Sequence, residues 1–185
     1  MNLYICGSNR NKNCYKVLND LKNEGDKLIS LSQKNIKYCL GCSACINELE
    51  NFCIQEDDMI DIYNSMIEAE NIVIASPVYM NHLTGILKNV IDRLNPFSCH
   101  GNLKGKKVYL IAIGQMSEEE NEEIANNLKD YFEGLSEFME FEFKFLRYLS
   151  SGDVETVDDI YENYENYEKI IEELKNEINW NVVDI

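Results

Sequence analysis

The chain has 185 residues, 45% of them apolar, with two prolines and nine glycines. That is enough chain for one full core in a single domain, and the composition excludes a disordered or linker-rich protein. The net charge is −16, and residues 117–185 carry all of it; residues 1–116 hold 12 acidic and 12 basic side chains. No basic stripe exists to meet phosphates, so nucleic acid is excluded as a partner, and the acidic stretch reads as a solvated helix face. No apolar run reaches the ~20 residues of a membrane span. The start, Met1-Asn2-Leu3-Tyr4-Ile5-Cys6, lacks a signal-peptide pattern, so a cytoplasmic location is expected.

Leu3–Cys6 is a short apolar run ending at Gly7-Ser8, which predicts a buried strand and a turn. Asn13 to Glu24 carries Val17, Leu18 and Leu21 at helical spacing, with Gly25 as a stop. Residues 27–31 predict a second strand. Asp57-Asp58 then precedes Met59, Tyr63, Met66 and Ile67, a capped amphipathic helix. Residues 71–76 are β-branched and continuously apolar, as in a strand covered on both faces. Leu83, Ile86, Leu87, Val90, Ile91 and Leu94 form a helical stripe. A strand over 107–113 and a helix marked by Ile124, Leu128, Tyr131, Phe132 and Leu135 follow. Met139, Phe141, Phe143 and Phe145 alternate with charged residues, which predicts an edge strand with one wet face. A long amphipathic helix over 160–178 closes the series.

Strands and helices therefore alternate, which predicts an α/β fold: a doubly wound five-stranded parallel sheet with helices on both faces. In such sheets ligands bind beyond the carboxyl ends of the strands. Three loops lie there: Gly7 to Cys14, Pro77 to His82, and Gly114 to Ser117. A cysteine-rich insertion, about 36–57, follows the second strand and is expected to emerge at the same rim.

Seven cysteines are many for a reducing compartment, and four are bunched as Cys39-x2-Cys42-x2-Cys45-x7-Cys53. Soft thiolates at this spacing favour an iron–sulfur cluster. Zinc and unmetallated redox thiols are the alternatives; zinc sites more often use separated pairs or include His. Cys6 and Cys99 read as packing residues. The first loop, Gly7-Ser8-Asn9-Arg10-Asn11-Lys12-Asn13-Cys14-Tyr15, runs from a strand into a helix start, where free N–H groups and the dipole favour an anion. Ser8 and Asn13 offer hydrogen bonds and Arg10 a fork suited to phosphate. The loop lacks the glycines of a dinucleotide or Walker motif.

Gly-Ser-x-Arg-x-x-Asn after the first strand, and Ser76-Pro77-Val78-Tyr79 after the third, resemble the NADPH-dependent FMN reductase family. This is the flavodoxin-like group that includes the iron–sulfur flavoproteins. The resemblance covers about 1–115, including Leu-Lys-Asn-Val-Ile-Asp-Arg at 87–93. In that family the first loop wraps the FMN phosphate, which implies Ser8, Arg10, Asn13, Cys14 and Tyr15 as its contacts here. Asn9 stands where the family usually has Pro, and Cys14 where it has a hydroxyl residue. The second loop lies against the flavin ring, implying Pro77, Val78, Tyr79, Met80 and Asn81. The third, Ile113-Gly114-Gln115-Met116-Ser117, closes over it, implying Gly114 and Gln115. Cys39, Cys42, Cys45 and Cys53, followed by Asp57-Asp58-Met59, match the subgroup's 4Fe–4S motif.

The resemblance implies an FMN-dependent oxidoreductase that takes electrons from NADH or NADPH. They would pass to an unidentified acceptor, through a 4Fe–4S cluster if one is held. It also implies a homodimer or homotetramer. Two rivals remain open: a flavin and iron–sulfur electron carrier without nicotinamide activity, and a thiol or metal redox sensor.

Overall fold

The computed structural model describes residues 1–47, 52–115, 119–151, 160 and 164–179. Five strands, β1 (Asn2–Cys6), β2 (Lys27–Ser30), β3 (Asn71–Pro77), β4 (Lys107–Gly114) and β5 (Glu142–Ser150), form one parallel sheet in the order β2-β1-β3-β4-β5. This is the flavodoxin-like order expected from the sequence, with its switch point between β1 and β3. Alternate residues of each strand feed two cores. Leu3, Ile5, Ile72, Ile74, Val108 and Leu110 face one layer; Tyr4, Cys6, Val73, Ala75, Tyr109 and Ile111 face the other.

The first layer holds α3 (Met59–Glu68), α4 (Gly85–Asp92), α5 (Asn95–His100) and α6 (Glu122–Met139). The second holds α1 (Asn13–Leu21) and α7 (Tyr167–Asn179). Each helix presents an apolar stripe to the sheet: Val17, Leu18 and Leu21 of α1, and Leu87, Val90 and Ile91 of α4, are buried. Burying such a side chain contributes roughly 1.5–3 kcal/mol. A short 3-10 turn (Leu31–Gln33) follows β2, and α2 (Ala44–Asn47) belongs to the cysteine segment.

Several sequence expectations shift. α1 stops at Leu21, and Gly25 (φ +88°) instead shapes the turn into β2. The alternating stretch that begins at Met139 is not all strand. Met139 ends α6, Glu140 adopts a left-handed conformation (φ 59°), and β5 begins at Glu142. Met139 and Phe141 are buried, so both satisfy the apolar pattern from outside the strand. β5 is an edge strand as expected, with Glu142 and Lys144 exposed. The expected 160–178 helix is shorter: residues 165–166 form a turn and α7 begins at Tyr167, while residues 161–163 lie outside the described residues. Cys6 is buried as expected, whereas Cys99 is exposed on α5. No helix among the described residues is long and apolar enough to cross a membrane.

β4 and β5 pair with a register shift between Leu110 and Ile111: Leu110 faces Phe145, and Ile111 faces Arg147. The extra residue, Leu146, reverses the alternation. Phe143 and Phe145 pack with the α3–α6 layer, and after the bulge Tyr148, not Arg147, turns to that side. A bulge re-aims side chains in this way, and here it delivers Tyr148 beneath Gly114.

Candidate functional site

Gly7 follows β1 at a point of close approach. A Cβ there would lie 3.0 Å from Leu87 Cδ2 and 3.2 Å from the Ala75 carbonyl. The Gly7 carbonyl accepts from Thr84 Oγ1 at 2.5 Å, and Thr84 also caps α4 by accepting from Leu87 N at 3.3 Å. The first loop is thereby tied to the start of α4. Ser8 Oγ accepts from Arg10 N at 3.1 Å, folding the loop over the beginning of α1. Asn13 Oδ1 accepts from the backbone N–H of Ile160 at 3.2 Å, which ties the start of α1 to a residue preceding α7.

The second loop is a two-residue hairpin turn. Tyr79 N donates to His82 O at 2.9 Å, and His82 N returns to Tyr79 O at 3.1 Å. The turn residues Met80 and Asn81 both have positive φ, 50° and 61°. Asparagine tolerates this conformation and methionine does not, so Met80 is held in a strained backbone at the tip, 98% exposed. The His82 ring packs edge-on against Tyr131 of α6, with centroids 5.3 Å apart.

The third loop is fixed from below. Gly114 sits so close to Tyr148 that a Cβ would lie 1.6 Å from the phenol oxygen. Its carbonyl accepts from Ser151 N at 2.6 Å and from Ser151 Oγ at 3.1 Å. Burial pushes the Tyr148 phenol pKa up, so it stays a neutral donor. Met116 and Ser117 lie outside the described residues.

These loops enclose one cleft of about 270 Å³. Ser8, Arg10, Asn13, Cys14, Pro77, Val78, Tyr79, Met80, Asn81, Gly114 and Gln115 all line it. Tyr15 does not; it is half-buried against the α1–α7 layer, one step along the helix from Cys14. Sequence reasoning missed Lys12, Ile113, Asn121, Ile124, Tyr148 and Ser151, which also line the cleft. Ile113 and Ile124 carried an apolar signal; Tyr148 carried none, because only the bulge aims it there. The cleft has cationic and hydrogen-bonding side chains where α1 begins, and apolar and aromatic ones along the second loop and α6. That donor set suits an anion at one end and a flat ring along the other.

The four cysteines ring a separate hollow of about 230 Å³, with Tyr63, Arg93 and Asn95 among its other walls. Left-handed Gly41 (φ 62°) and Ser43 (φ 59°) turn the chain between them. Asn95 Nδ2 donates to Cys45 Sγ at 3.3 Å. Phe52 packs on Tyr63 and Phe97, at 5.1 and 5.5 Å between ring centroids, and so seats Cys53. No three His, Cys, Asp or Glu side chains among the described residues group closely enough for a single ion.

The segment leaves β2 at the rim, where Ser30 Oγ donates to Asn11 Oδ1 of the first loop at 2.6 Å, but the hollow shares no lining residue with the cleft. After β2 the chain runs down the flank of α4. Ile36 O accepts from Asn89 Nδ2 at 2.9 Å, and Lys37 O accepts from Arg93 Nη1 at 3.2 Å. The cleft is tied to the start of α4 and the hollow to its end. Eight helical residues at about 1.5 Å each put roughly 12 Å of helix between them.

Asp57 secures the insertion. It forms a fully buried ion pair with Arg93 and accepts from Lys37 N at 2.8 Å and Met59 N at 3.1 Å. Burial works to raise its pKa; the bonds from Arg93, Lys37 and Met59 outweigh it and hold the carboxyl below its ordinary value. Asp58 accepts from Asn35 N at 2.7 Å, and Lys34 pairs with Asp61 at 2.7 Å. Asp57 thus caps α3 through the Met59 N–H, whereas Asp58, at the N-cap position, makes no capping bond with its side chain and instead clamps the chain at Asn35.

Residues 2–146 match the model of a family described as NADPH-dependent FMN reductase. The chain belongs to that family. An iron-sulfur flavoprotein of Methanocaldococcus jannaschii is 34% identical over 120 residues, which is 63% of this chain and 60% of that one. The chain thus spans about three fifths of that relative's length. Among solved structures, a NAD(P)H:quinone oxidoreductase from Methanothermobacter marburgensis superposes with a TM-score of 0.68. It is 16% identical and covers 100% of this chain and 98% of its own. A FMN-dependent NADH-azoreductase from Bacillus anthracis, solved in complex with FMN, gives 0.64 at 13% identity, covering 95% of this chain and 98% of its own. At such identities these two likenesses are of fold. Within the FMN reductase family frame, the cleft sits at the β1/β3 switch point.

Proposed function

We propose that this chain is an FMN-dependent oxidoreductase that draws electrons from NADH or NADPH, with an iron–sulfur cluster held by Cys39, Cys42, Cys45 and Cys53. The observation that carries it is the convergence of three strand-end loops on one cleft, in a chain of the FMN reductase family. Ser8, Arg10, Asn13 and Cys14 would hold the phosphate at the start of α1. Pro77 to Asn81 would border the ring, with Gly114 and Gln115 closing the other side and Tyr148 bracing them. When bound, FMN supplies hydride acceptance from the nicotinamide and delivery of electrons onward. The protein excludes water with Val78, Ile113 and Ile124, and holds the loops still from below.

The placement of all four cysteines around one hollow supports a cluster over a single ion. They surround a hollow rather than a point, and a cubane carries its cysteines on separate corners. Such a cluster would supply a one-electron relay about a helix length from the flavin. The acceptor is unidentified, and an assembly of two or four chains in the cytoplasm completes the reading.

Anaerobic purification, an absorbance spectrum and assays for iron and sulfide test it. Flavin bands with iron and sulfide, and oxidation of NADH or NADPH with excess FMN, are expected. Flavin and iron without nicotinamide oxidation would leave an electron carrier. Zinc at one per chain without flavin would leave a metal or thiol sensor.

A further inference from the structure

Buried polar groups in folded proteins are nearly always hydrogen-bonded, because leaving one bare is costly. Arg93 departs from this. The residue is 2% exposed. Its Nη1 is spent: it donates to Asp57 Oδ2 and, at 3.2 Å, to the Lys37 carbonyl. Its Nε and Nη2 are buried and make no well-aligned hydrogen bond; the acceptor acting on this guanidinium besides Asp57 and the Lys37 carbonyl is the Cys53 sulfur. These two atoms form the other edge of the guanidinium fork; Arg93 is among the residues lining the hollow ringed by the four cysteines, and Cys53 lies beside its guanidinium.

The cation is secure. Burial opposes its charge, but Asp57 and the neighbouring Cys53 outweigh that, and its pKa stands above the ordinary value. Anchoring the insertion needs only Nη1. A bare, bidentate N–H edge beside four thiols calls for a soft acceptor, and thiolate or sulfide sulfur is the acceptor this hollow would offer. Asn95 already shows the pattern on one ligand, with its amide donating to Cys45 Sγ at 3.3 Å.

We infer that Arg93 is a positioning residue for the cysteine site: its Nε–H and Nη2–H donate to sulfurs of the bound iron–sulfur cluster and raise its reduction potential. The inference rests on the proposed cluster. Four thiolates around a cluster core carry net negative charge, and reduction adds one electron. Donors and a cation at the sulfurs stabilise the reduced form more than the oxidised form, so the potential rises. Asp57, paired with Nη1, holds the guanidinium beside Cys53.

Two measurements test this. The first uses the unmutated protein carrying ¹⁵N-labelled arginine, reduced with dithionite and examined by pulsed EPR. The other arginines are elsewhere: Arg10 lines the cleft, and Arg147 on β5 pairs with Glu173. A ¹⁵N coupling to the reduced cluster is expected; a loaded, reduced protein without one overturns the inference. The second is a redox titration of Arg93→Lys, which keeps a cation for Asp57 and Lys37 but has no second edge. The cluster's reduction equilibrium should shift at least tenfold toward the oxidised form, about 59 mV for one electron, while the flavin's potential stays put. An unmoved cluster potential overturns the inference. Should Arg93→Lys fail to take up iron, the labelled protein decides. Unmutated protein lacking iron and sulfide removes the cluster reading and this one together, and the iron assay identifies that case.

Discussion

The cleft is walled by strand ends and pinned to the sheet by backbone pairs, Gly7 N to Ala75 O at 2.8 Å and Val78 N to Ile113 O at 2.8 Å, with Thr84 as an added side-chain tie. The hollow is walled by chain that has left the sheet and is hung from side chains. Asp57 holds Lys37, Met59 and Arg93; Asp61 holds Lys27 and Lys34. Backbone ladders survive most substitutions, since any non-proline residue supplies them. A side-chain scaffold fails with one residue. The first site is therefore expected to tolerate sequence change and the second to be brittle.

The largest break in that contrast should come from Asp57→Ala. It strands Arg93 as an uncompensated buried charge, worth roughly 3–5 kcal/mol. Urea unfolding should show that loss, and iron content should fall, while the folded protein keeps its FMN affinity. Equal loss of flavin and iron would mean the two regions are not separable. Gly114→Ala attacks the other side. The new methyl meets the Tyr148 phenol, and overpacking of this kind costs roughly 1–3 kcal/mol. FMN titration by fluorescence should show weakened binding with iron unchanged.

Acid should discriminate more gently. Asp57 and Asp61 both titrate below their ordinary range: Asp57 by outweighing its burial, Asp61 chiefly through Lys34 and Lys27. Their unfolded counterparts bind protons first as pH falls. The stability they contribute is full above about pH 4 and drains as pH drops through the folded values. Pepsin should cut within 36–57 before it cuts elsewhere as the pH is lowered below about 4. Uniform cutting along the chain would count against a separately anchored insertion. The smallest effect belongs to Met80→Gly. Relief of the left-handed backbone, about 1–2 kcal/mol, is partly offset by about 0.5–1 kcal/mol of chain entropy. A slight rise in Tm with weaker FMN binding is expected, because the tip loses its apolar side chain.

The sheet was legible because β1, β3 and β4 are continuous apolar runs between turn residues, and the three loops follow from parallel topology. Cys14 and Gln115 could be placed on the cleft for the same reason. Tyr148 could not: period-two reasoning aims Arg147 at that side, and a bulge leaves no composition signal. α5 is too short, at six residues, to show a helical period. The hollow's distance from the rim was hidden too. It depends on Asn89 and Arg93 catching the carbonyls of Ile36 and Lys37, which are contacts across more than fifty residues. Arg93 itself was visible only as the end of an apolar helix and of the 87–93 stretch that resembles the family.

α4 also sets a phase. Thr84 grips the first loop at its start, and Arg93 meets the cysteines at its end. One residue inserted between them would turn one grip relative to the other by about 100° and lengthen the span by about 1.5 Å. No side-chain repacking undoes a rotation of that size. The helix thus acts as an indexed shaft: its length is free to change only in near-whole turns, and insertions are expected in the loops that flank it instead.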